Sequence, residues 1–266
     1  MNSWHEVRRH PVARAAIACA VVALLPIVGA DDAQAQWSVD AAIERFDWRE
    51  HTAPIEVHET GPQFALGAEF VLPRASGFLF EYHGRLYGGS VDYNGSFQFD
   101  ATQAVSGASA YLGTTQGAEL RYRWPGAVDA YVGLDLDVWR RKLSATQQET
   151  YRIGSALLGA ERLATATSPF VAGAGMRLLL ATGESATIED AGFRYDLSLV
   201  PGFGASPVLH AGYRVRPQVT LLAYWDGMRL GRSNRITLIK RGRPVAVVSQ
   251  PATDLSRIGL RVVYGW

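Results

Sequence analysis

The sequence of 266 residues has little of what marks most protein classes. Its single cysteine, Cys19, excludes an intramolecular disulfide and a cysteine-based zinc site. No apolar run reaches the roughly 20 residues that a membrane-spanning helix needs. Positive and negative side chains nearly cancel, with 26 Lys and Arg against 25 Asp and Glu. Because no basic surplus is available for phosphates, we expect no nucleic-acid partner.

The common catalytic motifs are also missing. The sequence contains no Gly-x-Ser-x-Gly elbow, no His-Glu-x-x-His pair, no phosphate-binding loop and no Gly-x-Gly-x-x-Gly turn opening a helix. His83 and His210 do not converge with Asp135 and Asp137 in the register that the strand pattern predicts. We therefore expect no enzyme activity, no cofactor and no metal ion, and hydrolysis is the least favoured function.

The first 35 residues have the composition of an export signal. Three arginines precede an apolar segment at 15–28, and the small-residue site Ala33-Gln34-Ala35 follows. This order is typical of a secretory signal peptide, whose apolar core is too short to span a bilayer comfortably. We predict a signal peptide over 1–35 with cleavage before Gln36, which leaves residues 36–266 as an exported chain without cysteine.

From Trp37 onward the apolar residues recur with a period of two, as in strands whose two faces meet different surroundings. One segment, 128–138, alternates apolar residues with Asp, Gly and Tyr, and another, 170–180, alternates them with Gly, Val and Arg. No segment has a convincing helical period. The sequence therefore predicts an all-β chain.

Short and long connections alternate along the chain, which favours a membrane barrel over a soluble sandwich. Tight turns near 73–77, 125–126, 165–169 and 216–217 alternate with longer polar segments, and membrane barrels place short turns on one side and long loops on the other. We predict a transmembrane antiparallel up-and-down β-barrel of ten strands. Eight or twelve strands stay open, because 190–199 could extend a strand. The predicted strands are 37–49, 62–72, 78–88, 110–124, 127–141, 150–163, 169–182, 207–215, 218–230 and 254–266.

Aromatic residues cluster near both ends of the predicted strands, as amphipathic rings do at the two surfaces of a bilayer. Near the short turns the cluster comprises Phe78, Trp124, Tyr122, Phe170, Tyr213, Tyr264, Trp266 and Trp37. Near the long connections it comprises Phe46, Trp48, Tyr87, Trp139, Tyr151 and Trp225. We therefore predict two aromatic belts.

The last ten residues, 257–266, alternate polar and apolar side chains and end in Trp266. This pattern resembles the C-terminal β-signal of small Gram-negative outer-membrane β-barrel proteins. The resemblance is one of architecture, covers residues 36–266 and identifies no particular member. It implies the bacterial outer membrane as the location and the barrel-assembly machinery as a partner during insertion. The residues that would form the assembly signal are Gly259, Val262, Tyr264 and Trp266.

The polar faces of the predicted strands carry acids and arginines in nearly equal number. Arginine makes forked bonds to carboxylates, and the whole chain has only two lysines, Lys142 and Lys240. Because side chains can largely fill a barrel of eight to ten strands, we predict a plugged or tightly constricted lumen. The predicted ion-pair network comprises Glu69, Glu81, His83, Arg85, Glu119, Arg121, Arg123, Asp135, Asp137, Arg177, Arg257 and Arg261.

The last long connection is strongly basic, with no acid between Asp226 and Asp254. We expect it to extend outward as a hairpin with its turn at Arg241-Gly242, and to bind lipopolysaccharide phosphates or another anionic surface polymer. A structural or surface-interaction role is the favoured function, and a narrow channel for small solutes and an outer-membrane hydrolase are the alternatives. The sequence indicates neither the ligand nor the oligomeric state. The predicted anion-binding cations are Arg229, Arg232, Arg235, Lys240, Arg241 and Arg243.

Overall fold

The computed structural model describes most of the chain from Gln36 to Trp266. The predicted signal peptide, residues 1–35, lies outside the described residues, so its cleavage stays a prediction. Within the described part of the chain, no helix is long and apolar enough to cross a membrane. The described ranges are 36–73, 75–97, 100–189, 191–201 and 206–266.

The described chain consists almost entirely of strands, with one 3₁₀ turn at Ala75–Gly77. The strands are β1 (Gln36–Glu50), β2 (Val57–Pro73), β3 (Phe78–Phe97), β4 (Asp100–Trp124), β5 (Val128–Lys142), β6 (Gln147–Arg162), β7 (Phe170–Ile188), β8 (Phe193–Pro201), β9 (Ser206–Arg216), β10 (Val219–Ser233), β11 (Ile236–Lys240), β12 (Arg243–Val248) and β13 (Thr253–Gly265).

Ten of these strands form a closed antiparallel barrel, which confirms the predicted fold and strand number. Neighbours pair in the order β1 to β7, then β9, β10 and β13, and β13 pairs back with β1 to close the ring. The short turns of the barrel lie at one end, as predicted, and this end is called the short-turn end below. The opposite end is called the long-loop end.

Several strands continue further toward the long-loop end than the sequence predicts. β3 and β4 stay paired up to Phe97 and Asp100, so the predicted loop at 88–109 is mostly strand. β2 likewise begins at Val57. Backbone pairing continues there although the outer face is no longer apolar, because polar side chains fit a sheet that is solvated on its outer side.

Three strands lie outside the ring at the long-loop end. β8 pairs with the outer part of β7, and β11 pairs with β12 in the hairpin that the sequence predicts. Arg241 and Gly242 in the hairpin turn have positive φ values of 52° and 74°, the combination that a two-residue hairpin turn requires. Leu238 anchors the hairpin in a buried apolar cluster with Ala186, Ile188, Tyr195 and Leu197.

The exterior of the barrel carries a band of exposed apolar side chains. On β13 these are Ile258, Leu260 and Val262, which are 58, 64 and 48% exposed. At the short-turn end this apolar band finishes in exposed aromatic rings, and the belt predicted there is confirmed. The rings contact one another in the pairs Trp37–Phe70, Phe78–Tyr122, Phe170–Tyr213 and Tyr264–Trp266.

The aromatic belt predicted at the long-loop end is wrong. Of its six members only Trp225, which is 39% exposed, lies on the exterior. The rings stand at the expected height but on the opposite face of their strands, because they continue the lumen-facing alternation rather than the apolar one. The five rings that face the lumen, each at most 2% exposed, are Phe46, Trp48, Tyr87, Trp139 and Tyr151.

We predict that Leu260→Arg destabilises the barrel in lipid vesicles far more than Ser256→Arg. Leu260 lies within the apolar band, whereas Ser256 lies on the same face of β13 beyond the band. An arginine facing the middle of a bilayer costs about 2–4 kcal/mol, and one at the interface costs about 0–1 kcal/mol. Urea titration of the vesicle-bound variants measures both values. Equal costs would contradict the assignment of this band to hydrocarbon.

Candidate functional site in the lumen and its outer vestibule

Arg257 of β13 lies in the middle of the lumen among carboxylates of three other strands. Its guanidinium is 3.5 Å from Asp137 of β5 and 3.9 Å from both Glu44 of β1 and Asp226 of β10. The guanidinium also lies over the Tyr87 ring, 4.4 Å from its centroid. Because Arg257 is only 2% exposed, these contacts rather than water balance its charge.

Two more arginines extend this middle layer. Arg85 of β3 donates to Glu44 at 2.5 Å. Arg177 of β7 donates to Asp226 and lies 3.6 Å from Asp135 of β5. With Arg257, the layer joins six strands of the barrel wall across its interior.

A second ion-pair layer lies nearer the short-turn end. Arg121 of β4 contacts three carboxylates, Glu81 at 2.6 Å, Glu161 at 2.8 Å and Glu119 at 3.0 Å. The three acids come from β3, β6 and β4. One buried guanidinium therefore neutralises carboxylates on three strands.

Both histidines of the predicted lumen are held by carboxylates. His83 Nε2 is 3.2 Å from Asp135 Oδ1, and His210 Nε2 is 3.1 Å from Glu161 Oε1. A Cβ on Gly117 would lie 2.3 Å from His83 Nε2, so a glycine is needed beside the ring. Among the described residues, the hydrogen-bond partners of both rings are carboxylates, which places these histidines in the ion-pair network.

Glu81, His83 and Glu119 bring ligand-type atoms within 4.8 Å of one another, a spacing that a metal ion can bridge. However, both carboxylates already bind Arg121, at 2.6 and 3.0 Å. A metal ion would have to displace the buried Arg121 guanidinium from two of its three carboxylates, and would bring a second positive charge close to it. We therefore assign the three residues to the network.

The third layer, near the long-loop end, is not predicted from the sequence. Arg141 of β5 is 2% exposed and binds Glu59, Glu50 and Glu149, the last two at 2.8 Å. Its Cζ lies 5.2 Å from the centroid of the Trp48 ring. The three carboxylates come from segments that alternation assigns to loops, although the strands continue through them.

Aromatic rings fill the lumen beside the Arg141 layer. Trp139 and Tyr151 stack with 5.1 Å between their centroids, and Trp48 meets them edge-on at 6.3 and 5.3 Å. Trp48 and Tyr151 belong to β1 and β6, which stand opposite each other in the ten-strand ring, as do β5 and β13. Both this contact and the Arg257–Asp137 ion pair therefore cross the full width of the barrel.

Beyond the Arg141 layer, a vestibule of about 1160 Å³ opens at the long-loop end. Arg141, Glu50 and Glu149 line its bottom, and its sides include the β1–β2 loop and the segment before β13. Glu184 of β7 lies outside the apolar band and is 3% exposed. Burial, with Glu149 and Glu50 nearby, holds the pKa of the Glu184 carboxyl well above its usual range. Below the vestibule, the carboxyl groups of Glu50, Glu59, Glu149 and Glu184 therefore outnumber the guanidinium of Arg141.

Eleven of the twelve predicted network residues form ion pairs with described residues. Near the short-turn end Arg123 lies 2.9 Å from Asp129, and Arg261 lies 3.5 Å from Asp40. Glu69 faces the lumen without an ion pair among the described residues. Asp40, Glu44 and Glu50 of β1 are additional members, which the predicted network does not include.

The six cations of the predicted basic loop do not form one site. Arg229 faces the exterior, 3.4 Å from Asp254, and Arg232 lines the vestibule. Anion binding stays a prediction for the four cations on or beside the hairpin, which are Arg235, Lys240, Arg241 and Arg243.

The residues of the predicted assembly signal divide between the two faces of the last strand. Val262, Tyr264 and Trp266 are exposed on the exterior. Gly259 faces the lumen, where a Cβ would lie 2.8 Å from the Tyr224 ring. Their role in assembly stays a prediction.

Two histidine–aspartate pairs at the long-loop end are not predicted from the sequence. His51 Nε2 is 2.8 Å from Asp254 Oδ2, and His58 Nε2 is 3.0 Å from Asp47 Oδ2. His51 also lines the vestibule. Each pair joins residues of different strands or loops, so spacing in the sequence gives no signal for it.

We predict that Arg257→Met lowers the free energy of unfolding by about 3–5 kcal/mol, because it leaves buried carboxylates without a counter-charge. The control, Arg229→Met, removes an exposed arginine whose pair contributes at most about 1 kcal/mol. Urea unfolding in vesicles measures both variants. A loss for Arg257→Met no larger than that of the control would show that the lumen layers do not stabilise the barrel.

No protein-family model and no curated protein matches the sequence. The fold is similar to that of the outer membrane protease OmpT from Escherichia coli, with a TM-score of 0.53, 8% identity, and coverage of 87% of this chain and 96% of that chain. The β domain of the Bordetella autotransporter BrkA gives a TM-score of 0.40 at 9% identity, covering 87% of this chain and 99% of its own. The Pseudomonas putida toluene transporter TodX gives 0.34 at 11% identity, covering 89% and 90%. Identities this low show the fold alone: the chain is a transmembrane β-barrel of the bacterial outer-membrane type.

Proposed function

We propose that the protein is a non-conducting barrel of the bacterial outer membrane that acts at the cell surface through its vestibule and its basic hairpin. The observation that carries the proposal is side-chain contact across the full width of the lumen. Trp48 reaches Tyr151 at 5.3 Å, and Arg257 reaches Asp137 at 3.5 Å. A solute would have to displace both layers to pass, which favours a surface-interaction role over a channel.

A role at the cell surface requires that the long-loop end of the barrel face the outside of the cell. Barrels of this type place short turns in the periplasm and long loops outside the cell. The vestibule and the β11–β12 hairpin then face the external medium, while lipid covers the apolar band. The predicted signal peptide and the predicted assembly signal at the C-terminus agree with export of the chain and its insertion into the outer membrane.

The two surfaces offered to the outside differ in charge. The hairpin presents Arg235, Arg241 and Arg243 beside exposed Ile239 and Val247, which are 63 and 64% exposed. Cations flanked by apolar side chains suit an anionic amphiphile such as lipopolysaccharide, or an anionic surface polymer. Among the described residues, the vestibule is instead lined by three acids, Glu50, Glu56 and Glu149, against two arginines, Arg141 and Arg232, which favours a cationic group. The hairpin and the vestibule are thus suited to different partners.

Planar-bilayer recording tests whether the lumen conducts. We predict that the folded protein produces no steady unitary conductance, because its ion-pair and aromatic layers close the lumen. Insertion is verified on the same preparation by the shift in electrophoretic mobility between unheated and heated samples. A urea-unfolded sample controls for leaks caused by the protein alone. Steady unitary steps that require the folded protein would overturn the proposal in favour of a channel.

One observation favours a second candidate function, hydrolysis at the outer rim. His51 lines the vestibule and pairs with Asp254 at 2.8 Å, an arrangement in which a carboxylate can orient a general base. We nevertheless predict no turnover of fluorogenic peptides or lipid esters by the reconstituted protein, since the sequence carries none of the common catalytic motifs. Turnover that His51→Ala abolishes and His58→Ala preserves would establish a hydrolase instead.

A further inference from the structure

The exterior of the barrel carries different kinds of side chain at its two ends. At the short-turn end the apolar band ends in aromatic rings, whereas several outward positions at and just beyond the edge of the band at the long-loop end carry cations. These side chains are all exposed, and each belongs to a barrel strand: Arg45, Arg49, Arg140, Lys142, Arg152 and Arg229. The two surfaces of the membrane therefore meet chemically different rims.

On the wall formed by β1, β13 and β10, two of the three outward cations in the described chain have carboxylates within 4.0 Å. Arg229 lies 3.4 Å from Asp254, and Arg49 lies 3.3 Å from Asp47. Arg49 also stands opposite Asp254 in the β1–β13 register. The charges of this wall are largely balanced within the protein.

On the wall formed by β5 and β6, the cations are not balanced. Arg140, Lys142 and Arg152 have no carboxylate within 4.0 Å among the residues that the structure describes, and Arg152 donates to the Ser185 hydroxyl at 3.1 Å. The three are called the β5–β6 basic patch below. The next outward carboxylates at this height are Asp92 on β3, two strands from β5, and Asp196 on β8, which stands opposite Ser185 two strands from β6.

The register places Arg140 next to each of the other two cations. Arg152 stands opposite Val138, Arg140 opposite Thr150 and Lys142 opposite Gln148. Arg140 and Arg152 are therefore diagonal neighbours about 7–8 Å apart. Lys142 is next to Arg140 on the same face of β5 but about four residues, or roughly 14 Å, along the register from Arg152. Val138 is the last apolar residue on the outer face of β5 and stands opposite Arg152, so the β5–β6 basic patch begins at the edge of the apolar band.

We propose that the β5–β6 basic patch binds the phosphate groups of a phosphorylated glycolipid in the outer leaflet. The cations stand at headgroup height, face outward, and have no internal partner for their charge. Each arginine offers phosphate oxygens several N–H donors in the plane of its guanidinium, and the lysine adds a third cation on a flexible side chain. This site lies on the lipid-facing wall and goes beyond the proposed function, which rests on the closed lumen, the vestibule and the hairpin.

Native mass spectrometry of the detergent-purified protein tests the proposal, with lipid A that carries both phosphates as the probe. Arg140→Ser with Arg152→Ser removes two cations of the patch. The matched control, Arg49→Ser with Arg229→Ser, removes two exposed arginines at the long-loop end of the balanced wall. We expect the patch variant to bind the probe about tenfold or more weakly at low salt, and the control to change less than about twofold.

The same experiment contains the results that would overturn the site. Equal losses in both double variants would show a general effect of net charge. Undiminished binding by the patch variant would show that the patch does not bind the lipid phosphates, and would favour another occupant such as an acidic protein surface. Wild-type binding that survives removal of both phosphates from lipid A would show that the acyl chains, not the phosphates, are recognised. Because the substitutions are on the exposed exterior, the folded barrel is retained in both variants.

Discussion

A strand in hydrocarbon has no water with which to satisfy its backbone N–H and C=O groups, so each group must pair with a neighbouring strand. The barrel meets this constraint by closing the ring, in which β13 pairs with β1 from Ser38–Gly265 to Glu50–Thr253. Closure divides every strand into a face that meets lipid and a face that meets the lumen. The strict alternation of the sequence, the apolar band and the charged interior all follow from that division.

The enclosed face creates a second requirement, because a buried charge without a partner is costly. Arginine meets it well, since one planar guanidinium can serve several carboxylates at once. Arg121 and Arg141 each hold three, drawn from different strands. Together with the Trp48–Tyr151 contact, these layers make the interior a packed core with charges in it. The outer vestibule and the rims are then the surfaces left for function.

Alternation predicts most of the fold because it is strongest where lipid and lumen differ most. It gives the ten strands, the hairpin turn and the lumen face of most network residues. It fails beyond the hydrocarbon, where Glu50, Glu59 and Glu149 still pair in strands although the outer face is no longer apolar. It also misplaces Trp48 and Trp139, because a large ring suits a bilayer surface and a packed lumen equally well. Contacts between distant strands, such as His51 with Asp254, have no local signature at all.

The division of each strand between lipid and lumen can be measured residue by residue, since residues 36–266 contain no cysteine to interfere with labelling. Single cysteines from 132 to 140 on β5, carrying nitroxide labels in lipid vesicles, report collisions with oxygen and with a water-soluble nickel chelate. The account predicts that oxygen accessibility alternates with a period of two, with maxima at the even positions up to Val138, and that the nickel chelate becomes effective at Arg140. Uniform accessibility along β5, or access of the chelate to Leu134, would contradict it.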